Sequence, residues 1–216
     1  MTDEFAVGYV PMDHAKELAE LMCAFMRDLC HTFLYAYGDY EEFRVETAFE
    51  DKTVMVCDDE ELVEYITTTL LSVKRWIHYQ RLEGFAVVLV DENETVAYSY
   101  QINFYKPEVR VKKKIADFLV YVTDLRKKFF EILDSIRRSE RSAVNDDKSL
   151  RFRILCKLIP ETSTVNRPRE FVWQKVDASA DVDSAFLLPC GTRIDNPIVQ
   201  ADVYGKEHRC DAEKEK

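Results

Sequence analysis

The chain has 216 residues, a formal net charge of −10, 47% hydrophobic residues with 13 Phe and 11 Tyr, and only five Gly and six Pro. That length suits one domain, with or without an appended arm, and that composition belongs to a chain that folds around a core. The acidic balance argues against direct binding to DNA or RNA, which rests on Lys and Arg neutralising phosphates, and no stretch approaches the ~20 apolar residues of a membrane span.

Early acids, Asp3 and Glu4, stand where a secretory leader would be basic, so the expectation is a chain neither secreted nor membrane-bound. Six cysteines (Cys23, Cys30, Cys57, Cys156, Cys190, Cys210) are scattered without a Cys-x-x-Cys pair or a His at ligand spacing. This points to a reduced intracellular compartment, with no metal and no cofactor.

In chain order, the first element is a helix from Asp13 to about Tyr37. Leu18, Leu21, Met22, Phe25, Leu29, Thr32, Phe33 and Ala36 share its face, Asp13 can cap its start and Gly38 its end. A short extended stretch, Glu42 to Phe49, follows. Asp58 and Glu61 have capping-box spacing and open a second helix to about Tyr79, striped by Leu62, Ile66, Leu70, Val73 and Ile77.

Phe85 to Val90 is apolar at every position, as in a central strand covered on both faces. Beyond a turn at Asp91 to Glu94, the alternation of Tyr98, Tyr100, Ile102 and Phe104 with polar or small residues predicts its hairpin partner. After Pro107, a long helix carries Ile115, Phe118, Val122, Leu125, Phe129, Ile132 and Ile136 at alternating spacings of three and four, read as a core stripe packed on the sheet rather than a coiled coil. A polar loop, Arg138 to Lys148, leads to a strand with Phe152, Ile154, Cys156 and Leu158 on one face, and Phe171, Trp173 and Lys175 lie in a further short one.

The last fifty residues, broken by prolines and acids, predict an irregular arm. Ala185 to Leu188 and Ile198 to Tyr204 can each add an edge strand through few contacts, and Gly205 to Lys216 is read as a charged, disordered tail.

Catalytic motifs are missing: there is no Gly-rich phosphate loop, no Gly-x-Ser-x-Gly and no His-Glu-x-x-His. Cys30 and His31 are adjacent on a helix and point about 100° apart, which discounts a thiol dyad. The basic run Arg110, Lys112, Lys113, Lys114 with Arg126, Lys127 and Lys128 reads as a solvated helix face.

The order helix, helix, hairpin, long helix, strand, irregular arm resembles the HORMA domain family. Glu61-Leu-Val-Glu-Tyr-Ile-Thr-Thr-Thr-Leu-Leu-Ser-Val-Lys74 resembles the Glu-Leu-x-x-Tyr-Ile-x-x-Thr-Leu-x-x-Val-Lys helix of its MAD2-like accessory subunits of DNA polymerase zeta. Phe171-Val172-Trp173, Leu187-Leu188-Pro189, Thr192 and Val203-Tyr204 follow the order of the arm called the safety belt in that family. The pattern departs at Glu41, where the family carries proline, and at Asp202, where it carries Gln.

This resemblance implies an α+β HORMA fold over residues 13–205. It has a mostly antiparallel central sheet, three core helices, a core to about residue 160 and a mobile belt over 161–205. It implies a non-enzymatic, nuclear adaptor in translesion synthesis and DNA repair. The belt would pin a proline-containing peptide of the polymerase's catalytic subunit, with Tyr65, Phe171 and Trp173 as contacts. Leu187, Asp202 and Tyr204 would take the C-terminal domain of an inserter polymerase, and Arg126 would pair with another HORMA protomer. An AAA+ ATPase that remodels the belt is a further implied partner. A spindle-checkpoint or meiotic-axis adaptor is the alternative that the same family implies.

Overall fold

The computed structural model describes residues 12–47, 52–105, 115–139, 149–159, 185–187 and 192–208. Helix α1, Met12–Tyr37, buries Leu18, Leu21, Met22, Phe25, Leu29, Thr32 and Phe33 of the expected face, and Tyr37 with them, while Ala36 is only partly buried. It begins one residue before Asp13, which therefore lies inside the first turn. Gly38 stops the helix for a steric reason: its amide donates to the Leu34 carbonyl at 2.8 Å, and a Cβ there would stand 2.7 Å from that oxygen.

Two strands follow, where a single extended stretch was expected. β1, Phe43–Thr47, and β2, Thr53–Cys57, pair as an antiparallel ribbon, and Val54 and Val56 of β2 turn into the core beside α1. Helix α2, Glu60–His78, is capped by Asp59, whose carboxylate accepts from the Leu62 amide at 3.0 Å. Asp58, the expected cap, instead pairs with Arg44 of β1. Leu62, Ile66, Leu70, Val73 and Ile77 are all buried, together with Trp76.

β3, Leu82–Val90, and β4, Val96–Tyr105, form the expected hairpin, whose turn is held by Asp91 accepting from the amides of Asn93 and Thr95, each at 2.9 Å. The remaining elements are α3 (Ile115–Arg137), β5 (Arg151–Leu158), β6 (Ala185–Leu187), β7 (Thr192–Asn196) and β8 (Val199–His208). The main sheet runs β5-β3-β4-β8-β6, with β7 also on β8, and every pairing is antiparallel. Phe85, Val87 and Leu89 of β3 and Tyr98, Tyr100, Ile102 and Phe104 of β4 face the helices, because side chains on neighbouring strands keep one parity per face.

The stripe of α3 does not lie directly on the central strands. Phe129 stacks on Phe25 of α1, ring centroids 4.0 Å apart, Phe118 stacks on His14 at 4.1 Å, and the helix also meets β7, where Asn196 donates to the Tyr121 carbonyl at 3.1 Å. It forms an outer layer over α1. Among the described residues, three helices and an antiparallel sheet make an α+β architecture, the HORMA fold.

The arm also differs from expectation. β8 pairs with β4 from Tyr98↔Glu207 to Tyr105↔Gln200, so it is a full strand of the sheet rather than a segment resting on it, and it continues to His208, past the boundary expected at residue 205. Its docking needs a glycine. Tyr100 lies opposite Gly205, and a Cβ on Gly205 would stand 2.6 Å from the Tyr100 ring. The aromatic ring fills the space the missing side chain leaves.

Candidate functional site

β5 is the outermost strand on one side of the sheet, and among the described residues only β3 pairs with it. Antiparallel pairing turns alternate residues toward the neighbour, so β5 presents a row of backbone donors and acceptors on its outer side. Tyr65 of α2 reaches this edge. Its ring is half-buried and meets Phe152 edge-on, with centroids 6.2 Å apart, and its hydroxyl accepts from the Ile154 amide at 3.2 Å. Burial raises the phenol above its usual range, so it stays protonated and able to donate as well as accept.

Thus one of the three residues expected at a partner peptide lies at a sheet edge that the other described residues leave unpaired. Phe171 and Trp173, the other two, fall outside the described residues. Phe152, Ile154 and Cys156 complete the edge, and the sequence marked them only as a strand face.

The three positions expected at a second partner lie across the sheet. Asp202 and Tyr204 project from β8 on the face away from the helices. Tyr105 donates to Asp202 at 2.7 Å, Tyr204 donates to Gln101 at 2.9 Å and accepts from Asn103 at 2.8 Å, and Lys206 lies 5.3 Å from the Tyr204 ring centroid. These bonds hold the tyrosine flat across β4 and β8, a rigid polar surface with an aromatic centre. Register places Leu187 opposite Lys206, and Arg193 opposite Asp202, so both positions adjoin that surface. About three strand spacings, roughly 14 Å, separate it from the β5 edge. Arg126, the expected dimer residue, is exposed on α3, apart from both.

His31 is a core histidine. Its Nδ1 accepts from the Cys57 amide at 3.3 Å, and burial, reinforced by Arg27, lowers its pKa to about 4. Its neighbour Cys30 is fully buried and its thiol is pushed well up by burial. No group of His, Cys, Asp and Glu among the described residues could hold a metal ion.

No known family model and no curated protein matches the chain. Solved structures do match in shape. A chain of the mitotic checkpoint complex superposes with a TM-score of 0.66 at 15% identity, covering 90% of this chain and 97% of the other. C. elegans HTP-2 bound to the HIM-3 closure motif gives 0.62 at 10% identity, with 91% of each chain covered. C. elegans HTP-1 bound to the same motif gives 0.62 at 9% identity, again with 91% of each covered. At these identities the likeness is one of fold.

Proposed function

We propose that this chain is a non-catalytic HORMA adaptor that captures a peptide segment of a partner protein as an added strand on β5, held by the C-terminal arm. The observation that carries this reading is the outer edge of β5, unpaired among the described residues and set beside Tyr65, with the arm following that strand in sequence and ending as β8 on the far side of β4. A strand added to an edge gains main-chain hydrogen bonds for affinity and side-chain pockets for selectivity. An arm closed over it slows release, the step through which most affinity is tuned. Support comes also from the fold neighbours, among them proteins solved with closure motifs bound.

The finer reading rests on the α2 and arm motifs. The chain serves as the accessory subunit of a translesion DNA polymerase in the nucleus. It binds a proline-containing segment of the catalytic subunit at Tyr65, Phe171 and Trp173, and an inserter polymerase's C-terminal domain at Leu187, Asp202 and Tyr204. Arg126 contacts a second HORMA protomer, and an AAA+ ATPase resets the arm. The two separated surfaces suit a bridge between two partners. A checkpoint or meiotic-axis adaptor is the second reading, favoured by the neighbours in the mitotic checkpoint complex and with closure motifs.

Co-precipitation with the two polymerases of the same organism tests it. Tyr65→Ala and Trp173→Ala should each lose the catalytic subunit and keep the inserter domain, while Tyr204→Ala should do the reverse. A wild-type chain that retains neither polymerase rejects the translesion assignment and leaves the checkpoint or meiotic reading.

A further inference from the structure

Helix α2 buries one stripe and leaves the opposite ridge bare. On that ridge Leu71 is 61% exposed and Tyr79 64%, with exposed Arg75 between them at spacings of four. Steps of four keep side chains on one side of a helix, and the rise per residue sets Leu71 and Tyr79 about 12 Å apart along the axis. His78 flanks the Tyr79 ring edge-on, centroids 5.0 Å apart. Single exposed apolar residues are ordinary, but here two large ones bracket a guanidinium.

Charge on this ridge is one-sided. From Tyr65 to Leu82 there is no Asp or Glu, while Lys74, Arg75 and Arg81 are basic, in a chain of net charge −10. The acids that border the ridge are already engaged: Glu20 of α1 pairs with Lys74 at 3.0 Å, and Glu83 of β3 with Lys157 at 3.2 Å. Among the described residues, Arg75 and Arg81 have no ionic partner. Cations near a helix C-terminus also balance its dipole. Yet the carbonyls of Arg75, Trp76 and Ile77 already accept from the amides of Tyr79, Arg81 and Gln80 at 2.9, 2.7 and 2.8 Å, and a balanced dipole accounts for neither Leu71 nor Tyr79.

We propose that this ridge of α2 docks an acidic amphipathic helix of a partner protein. Apolar residues seven or eight positions apart on such a helix are roughly 10–12 Å apart, matching Leu71 and Tyr79, and a carboxylate between them meets the Arg75 fork. The net negative charge of the chain disfavours an acidic segment over most of its surface, so the unpaired arginines set where it lands. The surface is separate from the capture edge, because Tyr65 points about 120° away from Leu71 around the helix.

Fluorescence anisotropy on the full chain tests this with a labelled peptide of Leu, Glu and Ala, about five helical turns long with Leu on one face, against a scrambled peptide of the same composition. The patterned peptide should bind at least about tenfold more tightly, and Arg75→Glu should weaken it by about tenfold while leaving the melting curve unchanged, as befits an exposed site. Amide shifts in NMR should centre on Leu71, Arg75 and Tyr79. Equal binding of the two peptides, equal binding by Arg75→Glu, or shifts confined to β5 or to the Arg126 region of α3 overturns the inference. A dimer of the chain that Arg75→Glu dissolves gives the ridge to a second copy and overturns it too. Where Arg75→Glu lowers the melting curve, Leu71→Ser serves in its place, with the same loss expected. Every one of these outcomes leaves capture at β5 standing.

Discussion

His31 shows how one buried side chain ties the fold to pH. Its imidazole must stay neutral to accept the Cys57 amide, and burial lowers its pKa to about 4 from an unfolded value near 6.5. The unfolded chain therefore takes up the proton first as pH falls. The stabilisation is complete above about pH 6.5, declines below it and is exhausted near pH 4, a loss on the order of 3 kcal/mol. Asp28, whose carboxyl is raised chiefly by burial, works in the opposite sense at the acid end. Denaturant titrations of wild type and His31→Gln across this range should show the variant with the flatter profile; parallel profiles would show that the histidine carries none of the dependence. The sequence discounted His31 as half of a thiol dyad but left open whether its ring lies in the core or at the surface. It could not reveal the bond to Cys57, which depends on a hairpin 26 residues away.

Among elements, the helices were legible and their partners only partly so. Every described stripe residue of α2 is buried as its spacing predicts, yet the same logic on α3 named the face and not the surface that covers it. An apolar stripe reports burial without saying whether a sheet or a helix lies opposite. Because α3 is joined to the core chiefly through α1, the Phe25–Phe129 stack should carry much of its docking. Phe129→Ala should cost about 3–5 kcal/mol in urea unfolding. A loss below ~1 kcal/mol would mean that α3 is held elsewhere. β1 and β2 were half-legible for a related reason: exposed Val45 and a five-residue strand give weak alternation. The cap on α2 shifted from Asp58 to Asp59 because Arg44, unforeseen as a neighbour, engages the first acid.

For the whole molecule, the order of elements identified the fold, while the candidate site depended on long-range pairing invisible to local pattern. Nothing near Ile154 in sequence says that its amide meets Tyr65, 89 residues earlier, and nothing near Gly205 says that it will lie over Tyr100. That last pairing makes a global prediction. Gly205→Val should cost about 1–3 kcal/mol through overpacking against Tyr100 and speed exchange along β8, and combined with Tyr100→Ala, itself destabilising, it should cost less than the sum of the two single losses. Unchanged β8 exchange in Gly205→Val would show that the arm tolerates the added side chain.

The antiparallel neighbour of residues 98–105 is supplied by residues 200–207. On the ribosome, roughly a hundred residues must emerge after β4 before its second side is covered, several seconds or more at ordinary elongation rates. Through that interval the nascent chain exposes an unsatisfied, tyrosine-rich border, and a stop before residue 200 would leave it exposed for good. Such late truncations should behave as aggregation-prone products rather than as adaptors merely lacking a clasp.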